Sequence, residues 1–184
     1  MKKNQLQNYS DVQVHFTNNV SDYINSVLGK RMMGWNEIIG NNLHYWGNNE
    51  DNTTIKLSKN AIIHFWKGDL ENLKIAIDAG HDLVNSDHNY TYLDYTYEQI
   101  DLNKAYSFNP IPDGFTKKEA EQILGLGTQM WGEWTPTKKE VYSQTFPRIA
   151  AYAETGWTLT SNKNYKRFKA SLTALFKKWE ENLD

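Results

Sequence analysis

Cysteine is missing from all 184 residues. Its absence excludes a disulfide framework and any thiolate metal site, and it suits a reducing compartment without excluding an oxidising one. No charge of one sign prevails: 20 Lys and Arg stand against 22 Asp and Glu, a formal net charge of −2. That balance gives no electrostatic reason to expect nucleic acid or an acidic membrane surface as a partner. Long apolar runs are also lacking, since none approaches the roughly 20 residues that span a bilayer. The stretch Met1 to Asn8 carries two lysines with no apolar segment behind them, so as written it is not a signal peptide. The compartment stays open. His64, His81 and His88 do not form a set with metal-ligand spacing, so no metal or cofactor is expected. His81 follows a helix end and reads as structural, whereas His88 belongs to a loop and reads as a candidate lining residue.

Aromatic residues are what the chain has in plenty: 14% of it, with seven Trp and eleven Tyr. Core packing accounts for any one of them. It accounts less easily for Trp placed beside Gly, Glu or Asn where elements end.

Helix, turn and strand signals alternate. Phe16, Val20, Tyr23, Ile24, Val27 and Leu28 recur at helical spacing, and Gly29 fits a left-handed C-cap. Met32 to Trp35 then reads as a short strand, and Ala61 to Trp66 as another. Leu70, Leu73, Ala76 and Ile77 predict a helix capped by Asp69 and ended by Gly80, followed by a strand over Asp82 to Ser86. Ile123 to Met130 is the fourth predicted strand, with capping boxes on either side at Thr116/Glu119 and Thr137/Glu140. Pro147 is expected to kink the helix that begins at Thr137. A last helix carries Tyr165, Phe168, Leu172, Leu175, Phe176 and Trp179 on one face. Residues 41–60, rich in Asn, and 87–115 are longer excursions that follow strands.

This grammar predicts an α/β fold with about four parallel strands, each followed by helix. No linker divides it, so residues 1–184 are expected to form a single segment. Four strands are half of an eight-stranded (β/α)8 barrel. Open strand edges invite a partner, so self-association or docking with another barrel segment is expected.

In such a barrel the strand ends gather at one mouth, where active sites lie. The ends here supply Trp35, Trp66, Tyr92, Asp94, Trp131 and Glu133. Flat indoles suit the C–H faces of a pyranose, carboxylates accept from its hydroxyls, and an acetamido group matches an indole wall plus a Tyr donor. On the residues alone two readings stay open: a sugar-binding mouth, or tryptophans that plug the barrel.

Gly29-Lys30-Arg31-Met32-Met33-Gly34-Trp35-Asn36-Glu37 resembles the "GK-x-x-x-GW-x-E" segment of glycoside hydrolase family 20, the β-N-acetylhexosaminidases. His64-Phe65-Trp66, Ala79 to Ser86, Tyr92-Leu93-Asp94, Gly127 to Glu133 and Phe146 to Glu154 follow in the family's order. The resemblance implies the C-terminal half of the family's catalytic (β/α)8 (TIM) barrel. It implies that Trp35, Trp66 and Trp131 wall the pocket for a terminal N-acetylhexosamine. Tyr92 would donate to the acetamido oxygen, and Asp94 and Glu133 would hold ring hydroxyls. Family members use that acetamido oxygen as the nucleophile, an exception to the two-carboxylate scheme.

The family's Asp-Glu pair, which orients the acetamido nitrogen and supplies the general acid, lies in a Gly-Gly-Asp-Glu type motif that these 184 residues do not contain. Glu50-Asp51 sits in the Asn-rich stretch and reads as solvated surface. Glu133, between two Trp, invites a general-acid reading because an apolar setting favours a protonated carboxyl; the resemblance assigns it hydroxyl binding instead. The chain alone is therefore expected to be inactive. A non-catalytic sugar binder or scaffold, and one half of a split enzyme, are the alternatives. N-acetylhexosamine-terminated glycans are the expected partner, with neither nucleic acid nor membrane.

Overall fold

Asn8 starts the first helix by accepting from the Asp11 amide at 2.8 Å, and Gly29 ends it in the left-handed conformation, φ 60°. This is α1, Tyr9–Leu28, in a computed structural model that describes Met1, residues 4–40 and residues 52–180. The apolar stripe that predicts α1 is not the face it buries. Phe16, Tyr23, Val27 and Leu28 are exposed, whereas Asp11, Val14, Thr17 and Ser21 are buried. The polar side is anchored by hydrogen bonds to the segment before the second strand. Asn18 Nδ2 donates to Lys56 O at 2.9 Å, and Ser58 N donates back to Asn18 Oδ1 at 2.7 Å.

Asp11 is the strongest of these anchors. Its carboxylate accepts from the Gln7 and Thr54 amides at 2.8 and 2.6 Å and from the Thr53 and Thr54 hydroxyls. Burial works to raise this carboxyl, but the four donor groups together outweigh it and hold it far below the usual carboxylate range. A depressed folded-state value contributes stability above the unfolded carboxylate value, and that stability is lost as pH falls toward the folded one. Asp11→Asn is therefore expected to unfold at a lower temperature than wild type near neutral pH. The gap should narrow as pH drops below about 4. Melting curves across a pH series check this, and a gap that stays constant would contradict it.

Four short strands follow in sequence order: β1 (Met33–Trp35), β2 (Ile62–Phe65), β3 (Leu83–Asn85) and β4 (Ile123–Leu126). They form one sheet in the order β1-β2-β3-β4, with parallel pairing of β1 to β2 and β2 to β3. The register aligns Gly34, Ile63 and Leu83 across the sheet, and Trp35, His64 and Val84 in the next row. Between the strands run α2 (Leu70–Asp78), α3 (His88–Thr91), α4 (Leu102–Ser107) and α5 (Lys117–Glu121). After β4 come α6 (Lys138–Thr145), α7 (Arg148–Trp157) and α8 (Tyr165–Glu180). The expected caps are present: Asp69 with Asn72 on α2, Thr116 with Glu119 on α5, and Thr137 with Glu140 on α6.

Pro147 does not kink a helix; it separates two. Phe146 before it is extended, φ −100° and ψ 133°, because a residue preceding proline is pushed out of the helical region, and α7 starts afresh at Arg148. The Glu50-Asp51 pair lies outside the described residues.

The chain packs as two compact units, Met1–Asp87 with Ile111–Gly125, and His88–Pro110 with Leu126–Asp184. The first has a core of Val14, Ile39, Ile63, Phe65, Leu73, Ile77 and Leu83 among others. Gly40 is required there: its φ is 74°, and a Cβ would collide with Val14 Cγ2. The second has a core of Leu93, Ile100, Tyr106, Tyr152, Phe168 and Leu172. Tyr165 is half-buried against it, whereas Phe176, on the same predicted stripe, is exposed.

Candidate functional site

In the first unit the end of β1 runs into the turn Asn36–Ile39, and this short stretch organises two indoles. Trp35 and His64 are register partners on neighbouring parallel strands, so their side chains emerge on the same side. They stack, with ring centroids 4.4 Å apart and planes 16° from parallel. The Trp66 ring meets Trp35 edge-on at 6.2 Å and 73°. Its orientation is fixed from both ends. Asn36, 1% exposed, accepts from Trp66 N at 3.1 Å and donates to Lys67 O at 3.1 Å. The Glu37 carboxylate accepts the Trp66 indole N–H at 2.9 Å to Oε1 and 3.1 Å to Oε2. Behind Trp35, His64 Nε2 lies 2.6 Å from Ser86 Oγ, and burial pushes its imidazole toward the neutral form. Two indoles at a near right angle, each held by a polar partner, make an apolar corner.

In the second unit α3 leads directly into Tyr92, which bridges in parallel to Gln129. The Leu93 amide donates to Gln129 O at 2.7 Å. Tyr92 is buried, with the rings of His88 and Tyr95 edge-on at 5.9 and 5.6 Å. His88 Nδ1 is 2.9 Å from Tyr95 Oη, so His88 orders this aromatic group. Asp94 is also buried, and its Oδ1 has no hydrogen-bond partner among the described residues. Burial raises its carboxyl. The backbone amides of Asp94 and Trp131 work against that, Glu133 adds to it, and Arg148 opposes it. Trp131 and Glu133 flank the start of the turn Gly132–Trp134 and are both exposed. The burial between tryptophans on which an acid role for Glu133 rests is thus not present, since Trp131 and Trp134 are themselves open to solvent.

Trp35 and Trp66 are brought together in the first unit, and Tyr92 and Asp94 lie together in the second, with Trp131 and Glu133 acting on Asp94. Asn36, Glu37, His64, Ser86 and Arg148 carry no functional role in the sequence reading. A "W-x-E" ahead of a second strand-end Trp is the one local signal for Glu37. His81 is buried and its Nδ1 is 3.1 Å from Ala61 O, as a structural histidine requires. Among the described residues no three His, Asp or Glu side chains gather as a metal needs, and no helix is long and apolar enough to cross a membrane.

The model of glycosyl hydrolase family 20, catalytic domain, matches residues 1–160, and the chain belongs to that family. A β-hexosaminidase of Porphyromonas gingivalis is 24% identical over 180 residues, covering 91% of this chain and 21% of the relative. A β-N-acetylhexosaminidase of Cellulomonas fimi is 24% identical over 168 residues, covering 83% of this chain and 30% of the relative. The chain thus spans less than a third of these relatives. Among solved structures, an exo-β-N-acetylglucosaminidase of Vibrio harveyi in complex with N-acetylglucosamine superposes with TM-score 0.71 at 26% identity, over 94% of this chain and 27% of that one. A β-N-acetylhexosaminidase of Bacteroides fragilis superposes with TM-score 0.76 at 23% identity, over 98% of this chain and 36% of that one. The parallel strands and alternating helices are those of a partial (β/α)8 barrel.

Proposed function

We propose that this chain holds and aligns a terminal N-acetylhexosamine for substrate-assisted, retaining hydrolysis, and that it does not supply the general acid. The right-angled Trp35–Trp66 pair carries the reading. An indole corner fixed by Glu37 and Asn36 suits the acetamido methyl and an apolar pyranose face, and it is more than a barrel plug needs. Trp131, exposed in the second unit, is taken as a further sugar-facing indole. Tyr92 donates to the acetamido oxygen, which aligns that oxygen with the anomeric carbon. Asp94 and Glu133 accept from ring hydroxyls. Proton transfer belongs to an Asp-Glu pair from outside these 184 residues, because the Gly-Gly-Asp-Glu type motif is not among them.

The expected result with an aryl N-acetyl-β-glucosaminide is no release of the aryl group by this chain alone. Calorimetry should still detect binding of N-acetylglucosamine. Turnover by the lone chain that Glu133→Gln abolishes would overturn the reading. Turnover gained on adding a barrel segment with the Asp-Glu pair marks the chain as an enzyme part. Sugar binding with no turnover after that addition marks it as a binder.

The exposed apolar residues of α1, among them Phe16, Tyr23 and Val27, support a covering partner, either another barrel segment or a second copy. Light scattering is expected to show self-association of the lone chain, and a stable dilute monomer counts against it.

A further inference from the structure

Arg148 is fully buried, and among the described residues it forms no ion pair. Its guanidinium is held by neutral oxygens. Nη2 donates to Leu93 O at 2.6 Å, and Nη1 donates to Tyr95 O at 2.8 Å and to Ile100 O at 3.1 Å. The remaining hydrogen bonds go to Gln144, from Nε to the carbonyl at 2.9 Å and from Nη2 to the carbonyl and Oε1 at 2.7 and 2.8 Å. The Tyr97 ring lies 4.4 Å from Cζ, and the Tyr97 hydroxyl is tied to Phe146 O at 2.8 Å.

The pattern of acceptors is informative. Arginine offers five donors in one rigid plane, a shape that no other side chain supplies. Two of the carbonyls it gathers belong to Leu93 and Tyr95, the residues on either side of Asp94. The peptide entering Asp94 and the peptide leaving Tyr95 are both fixed to that plane, so residue 94 has little freedom to turn. Asp94 itself receives no hydrogen bond from Arg148 and keeps Oδ1 open. A direct Arg–Asp pair would have filled the acceptor sites that a ligand needs. Holding the neighbours instead fixes the carboxylate and leaves it available.

We propose that Arg148 is a positioning residue for Asp94, gripping the Leu93 and Tyr95 carbonyls so that the Asp94 carboxylate is presented to a sugar hydroxyl. This rests on the reading of Asp94 as a sugar-holding residue. A purely structural Arg148 would stabilise the second unit without coupling to Asp94.

The test uses the whole 184-residue chain. Arg148→Lys keeps the charge, but one ammonium cannot reach all four residues together. The Gln99 and Ile100 amides, which donate to Thr96 O at 3.0 and 2.9 Å, report on the gripped segment by hydrogen exchange. Exchange there should quicken about tenfold or more while the amides of α8 hold. Affinity for N-acetylglucosamine should fall about tenfold in Arg148→Lys and in Asp94→Asn, and the double variant should lose no more than either. Additive losses, or unchanged exchange at 99 and 100, overturn the proposal. So does an Arg148→Lys chain that keeps its affinity while Asp94→Asn loses it. An Asp94→Asn chain that binds as wild type instead sinks the sugar-holding reading, and the proposal falls with it by a visibly different pattern. If Arg148→Lys does not fold, Gln144→Ala removes a single acceptor and should show the same pattern at about twofold to threefold; no change in it is an overturning result.

Discussion

Trp66→Ala is expected to weaken N-acetylglucosamine binding roughly 30-fold or more, the consequence of losing about 2–3 kcal/mol of apolar contact. The indole is one side of the corner with Trp35. The substitution also strips the Glu37 carboxylate of the indole N–H that both its oxygens accept. Trp66→Phe separates the two contributions, since it keeps a flat ring and removes the donor. Its loss should be a few-fold only, on the order of one hydrogen bond. Calorimetric titration of the three chains reads both numbers. Equal affinities for Trp66→Ala and wild type would mean that the corner holds no sugar.

Ile63→Ala should destabilise the fold by roughly 2–5 kcal/mol, a large share of the ~5–15 kcal/mol that holds a typical domain together. Ile63 is fully buried at the centre of β2, between Gly34 and Leu83 in register. Gly34 beside it has no side chain of its own to fill the gap, and the Ile38 side chain packs over that glycine. Urea unfolding of the variant and wild type measures the difference. A loss below about 1 kcal/mol, the size expected for Ile→Val, would show that the core relaxes around this strand.

Local grammar was legible in the sequence where the physics is local. The capping boxes at Thr116/Glu119 and Thr137/Glu140 and the left-handed Gly29 depend on residues within four positions, and each is in the structure. The four strands were legible as apolar runs, although the fourth is shorter than its run because the bridge at Gln129 is isolated from β4. The α1 face was not legible. Hydrophobic spacing finds a helix but does not say which side packs, and here Asp11 and Asn18 decide it through partners about 40 positions away. Pro147 was misplaced for a different reason: the helical pattern continues on both sides, and only the extended Phe146 breaks it.

In the candidate site, Trp35, Trp66, Tyr92 and Asp94 stood out because aromatic and acidic residues at strand ends are chemically conspicuous. The residues that hold them were not. Glu37 reaches Trp66 across 29 positions and Arg148 reaches Leu93 across 55, by hydrogen bonds that no spacing rule encodes. Arg148 stood in the sequence only as part of the Phe146 to Glu154 motif, with no role of its own; burial, invisible in sequence, makes it the centre of a carbonyl cage.

The open Asp94 Oδ1 has a consequence for how the fold tolerates change. A buried acceptor with no donor among the described residues leaves the protein above the lowest free energy its packing allows. A side chain without that oxygen would relieve the tension and leave the site blunt. If Asp94 takes a sugar hydroxyl as proposed, durability and recognition pull in opposite directions at this one atom, and sugar binding would itself stabilise the fold.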